Sequence, residues 1–431
     1  MQTTKYRILA LLLLGLVRHE ASVAQTKTDA AAKLQIPTGM GTQYFPPPES
    51  QGGWPALRLA GWRSLVPANA APTPEQKAAV REHTGLDWDK LLDAWTYCTS
   101  FGGSNSMLVI RHGWIAAEWH NFTQPRGIAS CTKSVTGLAA ARLLDMSDRG
   151  LLKKRIGLDD FVYQYVPASW GQIEPARQRI QLRHLLTMTS GLTPYDGPYH
   201  DDYAMEVFAQ RAEAPPGTVW AYASVPVDLL SYIIEDVTDR TLGDFFNDEI
   251  GSAIGAARVT FPAFSGHSGG SGGPGGGARF AARDLARVGY LLLHSGVWER
   301  NGLVQQVVSG ERVTQFTRWA PFLENTTWRQ PNFAFEANAN RYYGHLFWTN
   351  RTQQGLGPSV PRDAFYMSGW GKHICAVIPS LDMVVVRLGG NRTLNDHPEF
   401  YPELFSRIMA AAADRQILHK ESPDNHGGAI P

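Results

Sequence analysis

Two short apolar runs, Met107–Ile110 and Trp114–His120, flank a turn at His112-Gly113. Runs of this length on either side of a glycine predict a β-hairpin. A matching pair lies far downstream: Ile374–Ile378, a turn at Pro379-Ser380-Leu381-Asp382, and Met383–Leu388. Between the hairpins the apolar positions recur at helical spacing, which predicts helices over Thr132–Met146, Leu182–Met188, Val227–Val237 and Ala281–His294. A further helix, about Pro402–Ala413, follows the second hairpin. An early helix is predicted over Pro74–Ala94, with Thr73 as N-cap and Pro74 at the first helical position. In the helix after Ser130, residues Val135, Leu138, Ala139 and Leu143 would bury one face, and Gly150 would end the element. The order predicts an α+β fold: an antiparallel sheet flanked by helices and built from both parts of the chain, about 100–125 and 360–390, with an all-helical insertion at about 135–320.

Outside this pattern the chain reads differently. Lys5 and Arg7 precede ten apolar residues, Ile8–Val17, too few to span a bilayer. Ser22-Val23-Ala24 supplies small residues for cleavage, so residues 1–24 are expected to be a signal peptide and the protein to be exported, periplasmic or secreted. No later stretch predicts a membrane span, and the apolar Val227–Val237 helix is expected in the core. Residues 25–74 are rich in Pro, Gly and Ala and predict an extended arm over the main domain, 75–415, with a polar tail at 416–431. Gly266–Gly277 reads as a flexible loop.

Composition narrows the class. Of 431 residues, 43% are hydrophobic and 18% charged, a globular balance, and a net charge of +1 without a basic stripe gives no reason to expect a nucleic-acid partner. Cys98, Cys131 and Cys375 are odd in number, which excludes a disulfide scaffold; their spacing fits no metal site, and Cys131 reads as a small buried residue.

The candidate chemistry centres on Ser130-Cys131-Thr132-Lys133, where a helix should begin. That spacing puts Ser130 and Lys133 one turn apart on one face. A serine hydroxyl needs a base within hydrogen-bond reach, and a lysine whose ammonium is destabilised can serve. The helix N-terminus also favours negative charge on the serine oxygen. Tyr222, on a loop after Pro215-Pro216-Gly217, is placed to relay a proton to a leaving group. Gly369 and Trp370 precede a strand, where an N–H could join that of Ser130 in an oxyanion hole. A rival, Gly266-His267-Ser268-Gly269-Gly270, has the G-x-S-x-G pattern of another hydrolase fold, but within a glycine-rich stretch rather than between strand and helix. His373 and His397 read as structural or surface residues.

Several stretches, in order, resemble the class C β-lactamase-like serine hydrolases: Val109–Gly113, Ser130–Lys133, His184–Leu192, Pro216-Gly217 with Tyr222, Ala281–Arg287 and Gly369–Val386. The resemblance covers roughly residues 75–415. It implies the β-lactamase/transpeptidase-like fold, an acyl-enzyme on Ser130, Lys133 as general base with Tyr222 sharing the proton traffic, and no metal or organic cofactor. Which of the two takes the first proton stays open. Two positions depart from the β-lactamases. Ser224 stands where an asparagine binds the substrate amide, and the Lys-Thr-Gly strand is replaced by Asp363–Tyr366 and Ser368-Gly369-Trp370. Lys372 falls where a strand residue is expected, so it is not assigned that lysine's role. These departures point to the esterase and 6-aminohexanoate-dimer hydrolase branch, acting on a small-molecule ester or amide. The alternatives are a true class C β-lactamase or D,D-peptidase, and a non-catalytic scaffold. Loops 192–215, 262–278 and 318–345 would shape the pocket, the last supplying an aromatic rim suited to an apolar acyl or aryl group.

Overall fold

The computed structural model describes residues 44–51, 53–54, 72–103, 105–120, 123–170, 173–192, 212–261, 276–329 and 338–412. All belong to one compact unit, residues 44–431. The expected signal peptide, the polar tail, most of the arm, Ser268 and much of the three pocket loops lie outside the described residues.

The helices are α1 (Pro74–Thr84), α2 (Trp88–Ser100), α3 (Cys131–Asp148), α4 (Leu182–Leu186), α5 (Val225–Thr238), α6 (Leu242–Phe246), α7 (Ala282–Leu293), α8 (Gly310–Thr317) and α9 (Phe400–Ala411). Thr73 caps α1 through a reciprocal pair, Gln76 N to Thr73 Oγ1 at 3.3 Å and Thr73 N to Gln76 Oε1 at 2.7 Å. The single helix expected to reach Ala94 is instead two. Gly85 adopts φ 63°, which ends α1 with its N–H on Arg81 O, and Asp87 then caps α2 by accepting from the amides of Asp89 and Lys90. Thr84-Gly85-Leu86-Asp87 is thus a stop signal followed at once by a start signal.

The strands of the main sheet are β1 (Ser106–Arg111), β2 (Trp114–Trp119), β3 (Trp348–Thr349), β4 (Phe365–Gly369), β5 (His373–Ile378) and β6 (Met383–Leu388). Their spatial order is β2-β1-β6-β5-β4-β3, antiparallel throughout. The two predicted hairpins therefore meet edge to edge, with Ser106 opposite Leu388 and Arg111 opposite Met383. Every residue of β5 and β6 is buried, because helices cover both faces. Val384 and Arg387, on alternate faces of β6, show the two layers: Val384 lies against Gly289 of α7, and the Arg387 guanidinium lies 5.2 Å from the ring centroid of Phe400 in α9.

The long helix α3 departs from expectation. One buried face was predicted, yet every residue from Cys131 to Ser147 is buried. Its polar side chains find partners inside: Ser134 Oγ donates to Leu346 O at 2.5 Å, and Arg142 donates to Glu249 at 2.9 Å. The insertion also holds a hairpin that was not anticipated, Val297–Arg300 with Leu303–Gln306, turned by Asn301 and Gly302 at φ 54° and 77°. No helix among the described residues is long and apolar enough to cross a membrane.

The start of α7 acts as a clamp. Arg283 donates to both oxygens of Glu118 in β2, at 3.1 and 2.7 Å, and also to Glu49 at 2.5 Å. Arg287 reaches Glu49 at 2.8 Å and the carbonyls of Pro46 and Pro47 at 2.8 and 2.6 Å. The visible part of the arm is thereby fastened to sheet and helix together.

Two outcomes follow from buried charge. Glu118→Ala leaves the Arg283 guanidinium without its bidentate partner and should lower unfolding free energy by about 3–5 kcal/mol in urea titrations; a change below about 1 kcal/mol would show that the pair is dispensable. Burial, with arginines nearby, holds His184 and His345 down to about 4 and His373 down to about 3. These rings stay neutral in the folded protein while the unfolded chain takes up protons below its ordinary value near 6.5. The stability they contribute is therefore complete above that pH and is lost as pH falls toward 4. The urea midpoint should drop steadily from pH 7 to pH 4.5, and replacing His373 with Gln should flatten part of that slope.

Candidate active site

Ser130 stands at the N-cap position of α3 with φ −65° and ψ −7°. The residue before it, Ala129, has φ 48°, a left-handed conformation that is costly for a residue with a Cβ. A serine at this position ordinarily accepts from an amide of the first turn. Ser130 makes no such bond. Its hydroxyl accepts instead from Lys133 Nζ at 3.0 Å. Lys133, one turn further on, is 1% exposed.

Ser224 is the second oxygen on this amine: Lys133 Nζ donates to Ser224 Oγ at 3.0 Å. Expected from sequence to face substrate, Ser224 lies at the N-cap position of α5 and, like Ser130, makes no capping bond with its side chain. Tyr222 is buried, and its ring centroid lies 5.0 Å from Lys133 Nζ. The ring stacks on Trp348 at 5.7 Å and meets Tyr343 edge-on at 6.3 Å. The segment carrying Tyr222 is tied to the His184–Leu192 stretch by Gly217 N to Thr189 O and Ala221 N to Met188 O, at 2.8 and 2.9 Å. That motif is therefore a shelf for the tyrosine segment. Gly191 permits the approach, since a Cβ there would lie 2.0 Å from Ala214 O.

Gly369 closes the cluster. Expected just before the strand that begins near Ile374, it is the last residue of β4 and does precede β5. Strand β3 pairs only with Phe365 and Tyr366, so the outer edge of Met367–Gly369 has no strand neighbour among the described residues. The Ser130 turn packs against Gly369 itself. A Cβ on Gly369 would stand 2.5 Å from Ile128 O and 3.2 Å from Ser130 N. Trp370, half exposed at 50%, follows in the turn. Lys372 is not a strand residue but the last residue of this turn, at φ 59°, with its ammonium 5.0 Å from the ring centroid of Tyr401.

Three contributors were not anticipated. Ala129 carries the unusual backbone before the serine. Trp348 lies under Tyr222 and also against Tyr343 at 4.7 Å. Arg387, fully buried, donates to the carbonyls of Gly371 and Lys372 at 2.5 and 2.9 Å, while Gly371 N donates to Asn395 at 3.0 Å, so the turn after Gly369 is held from both sides. A charged residue inside the apolar run Met383–Leu388 was the available signal for Arg387. His373 is structural, its Nδ1 accepting from Gly389 N at 3.1 Å. Cys131 is buried, and none of the three cysteines forms a disulfide. No group of three or more His, Cys, Asp or Glu side chains among the described residues is arranged to hold a metal.

A family model described as Beta-lactamase matches residues 106–396. Among curated proteins, the protein flp of Staphylococcus aureus strain MW2 is 28% identical over 144 residues, which is 31% of this chain and 27% of that protein. The flp of strain COL is 30% identical over 124 residues, 26% of this chain and 23% of that protein. The chain thus aligns with only about a quarter of these relatives' length. A Bacteroides dorei protein provisionally named a β-lactamase superposes with a TM-score of 0.61 at 18% identity, over 76% of this chain and 100% of that one. A Bacillus anthracis protein provisionally named a 6-aminohexanoate-dimer hydrolase gives 0.54 at 19%, over 73% and 81%. A family VIII carboxylesterase gives 0.51 at 17%, over 75% and 96%. These superpositions establish a common fold.

The packing at Gly369 generates a direct test. Gly369→Ala should push β4 away from the Ser130 turn and lower any Ser130-dependent hydrolysis at least about 100-fold, with the far-ultraviolet circular dichroism unchanged. Unaltered hydrolysis in a folded variant would show that this approach has no part in the chemistry.

Proposed function

Because the chain belongs to the β-lactamase family, whose members are hydrolytic serine enzymes, we propose that it cleaves an ester or amide bond of a small molecule through an acyl-enzyme on Ser130. The observation that carries this reading is the 3.0 Å contact between Ser130 Oγ and the amine of a lysine that is 1% exposed. Such a lysine, when neutral, can take the serine proton as the oxygen attacks a carbonyl. Tyr222, against the same amine, is the other candidate for that proton. The developing oxyanion would be received by the N–H of Ser130 and an N–H of the Gly369–Trp370 turn, a term worth about 3 kcal/mol per well-placed donor. Collapse expels the leaving group, and water then releases the acyl chain and restores Ser130. No cofactor enters this sequence.

Esterase or amidase action, rather than strong β-lactamase action, is favoured by three features. The Lys-Thr-Gly strand is missing, Lys372 lies over Tyr401 rather than on a strand, and Ser224 is engaged with Lys133 instead of offering an amide. The carboxylesterase and 6-aminohexanoate-dimer hydrolase names among the superposed proteins are in keeping with this. We propose export on the strength of Lys5, Arg7 and the Ile8–Val17 run; N-terminal sequencing of protein from an expressing culture should find Gln25 first, and an intact Met1 would overturn it.

The decisive measurement is pre-steady-state hydrolysis of p-nitrophenyl esters. The purified protein should show a burst of nitrophenolate, and Ser130→Ala should lose the burst and about 10,000-fold in kcat/KM. Nitrocefin should turn over far more slowly than the esters. Activity that survives Ser130→Ala would move the nucleophile elsewhere, with Ser268 the next residue to replace. A protein that neither hydrolyses esters nor takes up a fluorophosphonate at Ser130 would be a scaffold.

A further inference from the structure

Two serines, each at the start of a helix, meet at one buried amine. Ser130 precedes α3 and Ser224 precedes α5, and neither hydroxyl caps its helix. Omitting a serine cap gives up about 1 kcal/mol in each case. Both hydroxyls lie 3.0 Å from Lys133 Nζ. The positive ends of two helix dipoles therefore face the two oxygens, which favours negative charge there. Ser224 is 9% exposed, and its carbonyl is engaged by the amides of Val227 and Asp228 at 2.9 and 3.1 Å, so its position is fixed by the helix it begins.

A hydroxyl has a donor and two acceptor lone pairs. It can take a proton from one side while giving its own to the other. The carboxamide found at this position in the β-lactamases cannot do that near neutral pH. Tyr222 lies beside the same amine, its ring centroid 5.0 Å from Nζ, and is the rival donor.

We propose that Ser224 is a catalytic proton relay that delivers the leaving group's proton. This rests on the Ser130 acyl-enzyme. As Ser130 Oγ bonds to the carbonyl carbon, its proton passes to the neutral Lys133 amine. When the tetrahedral adduct collapses, the bond from carbon to the departing oxygen or nitrogen breaks. Ser224 gives its hydroxyl proton to that atom and takes one from the Lys133 ammonium. The leaving group departs as a neutral alcohol or amine, Lys133 is neutral again, and Ser224 is unchanged. In deacylation the attacking water gives its proton to Ser224, which passes its own to Lys133, and Lys133 returns one to Ser130. A relay of this kind matters most for basic leaving groups, so it assigns the enzyme to alkyl esters and amides rather than to activated aryl esters.

The test is a series of aryl butyrates from p-nitrophenyl to p-methoxyphenyl, which changes the leaving group's basicity with the acyl group held constant. kcat/KM is compared for the unaltered protein, Ser224→Ala, Ser224→Gly, Ser224→Thr and Tyr222→Phe. Glycine is tolerated at an N-cap almost as well as serine, so the glycine variant separates lost chemistry from lost folding. The expected result is a loss in Ser224→Ala and Ser224→Gly that is at least about tenfold greater on the p-methoxyphenyl than on the p-nitrophenyl ester, with recovery in Ser224→Thr. An equal loss across the series would mean that Ser224 only positions Lys133, and the relay would be wrong. A leaving-group-dependent loss confined to Tyr222→Phe would assign the proton delivery to the tyrosine and also overturn it. Either failure leaves a Ser130-dependent burst intact, whereas activity that survives Ser130→Ala would sink the acyl-enzyme itself.

Discussion

An amine inside a protein must find hydrogen-bond partners there, because leaving it unpaired costs several kcal/mol. Lys133 imposes this constraint at the head of the central helix. Its amine reaches Ser130 on its own helix and Ser224 at the start of another. Helix α3 is buried along nearly its whole length, so the amine has no easy route to solvent. The hydroxyls that meet it have given up the capping bonds their positions ordinarily make. The local cost is offset by the mass of apolar packing around α3, and the site is rigid because that packing is.

The sheet supplies the opposite wall. β5 and β6 are buried on both faces and sit in the middle of the strand order, so the β4–β5 turn is attached to a fully buried strand. Arg387 extends that rigidity into the turn by holding two of its carbonyls. Gly369 then determines how closely the wall approaches the serine. The aromatic group of Trp348, Tyr343 and Tyr222 performs the same task for the tyrosine, fixing its ring by contact on more than one side.

The clamp at the start of α7 explains why the visible arm belongs to the domain. Arg283 and Arg287 need anionic and carbonyl partners once buried, and Glu118, Glu49, Pro46 and Pro47 provide them from β2 and the arm. The Ala281–Arg287 stretch, one of the motifs shared with the serine hydrolases, accordingly holds the architecture together rather than lining the site.

Sequence alone determined what depends on neighbours along the chain. Both hairpins, the helix after Ser130 and the one-turn spacing of Ser130 and Lys133 follow from alternation and helical periodicity, which backbone geometry enforces over a few residues. The Asn301-Gly302 hairpin and the Gly85-Leu86-Asp87 break were legible by the same rules, since glycine and capping residues mark them. Tertiary structure decided the rest. The contact of Ser224 with Lys133, the approach of Gly369 to Ser130, the Trp348 ring under Tyr222 and the Arg387 brace join residues from distant parts of the chain. Periodicity says which face of an element is buried. It does not say which residue of another element will stand against that face, because that depends on how helices and strands pack when the whole core closes.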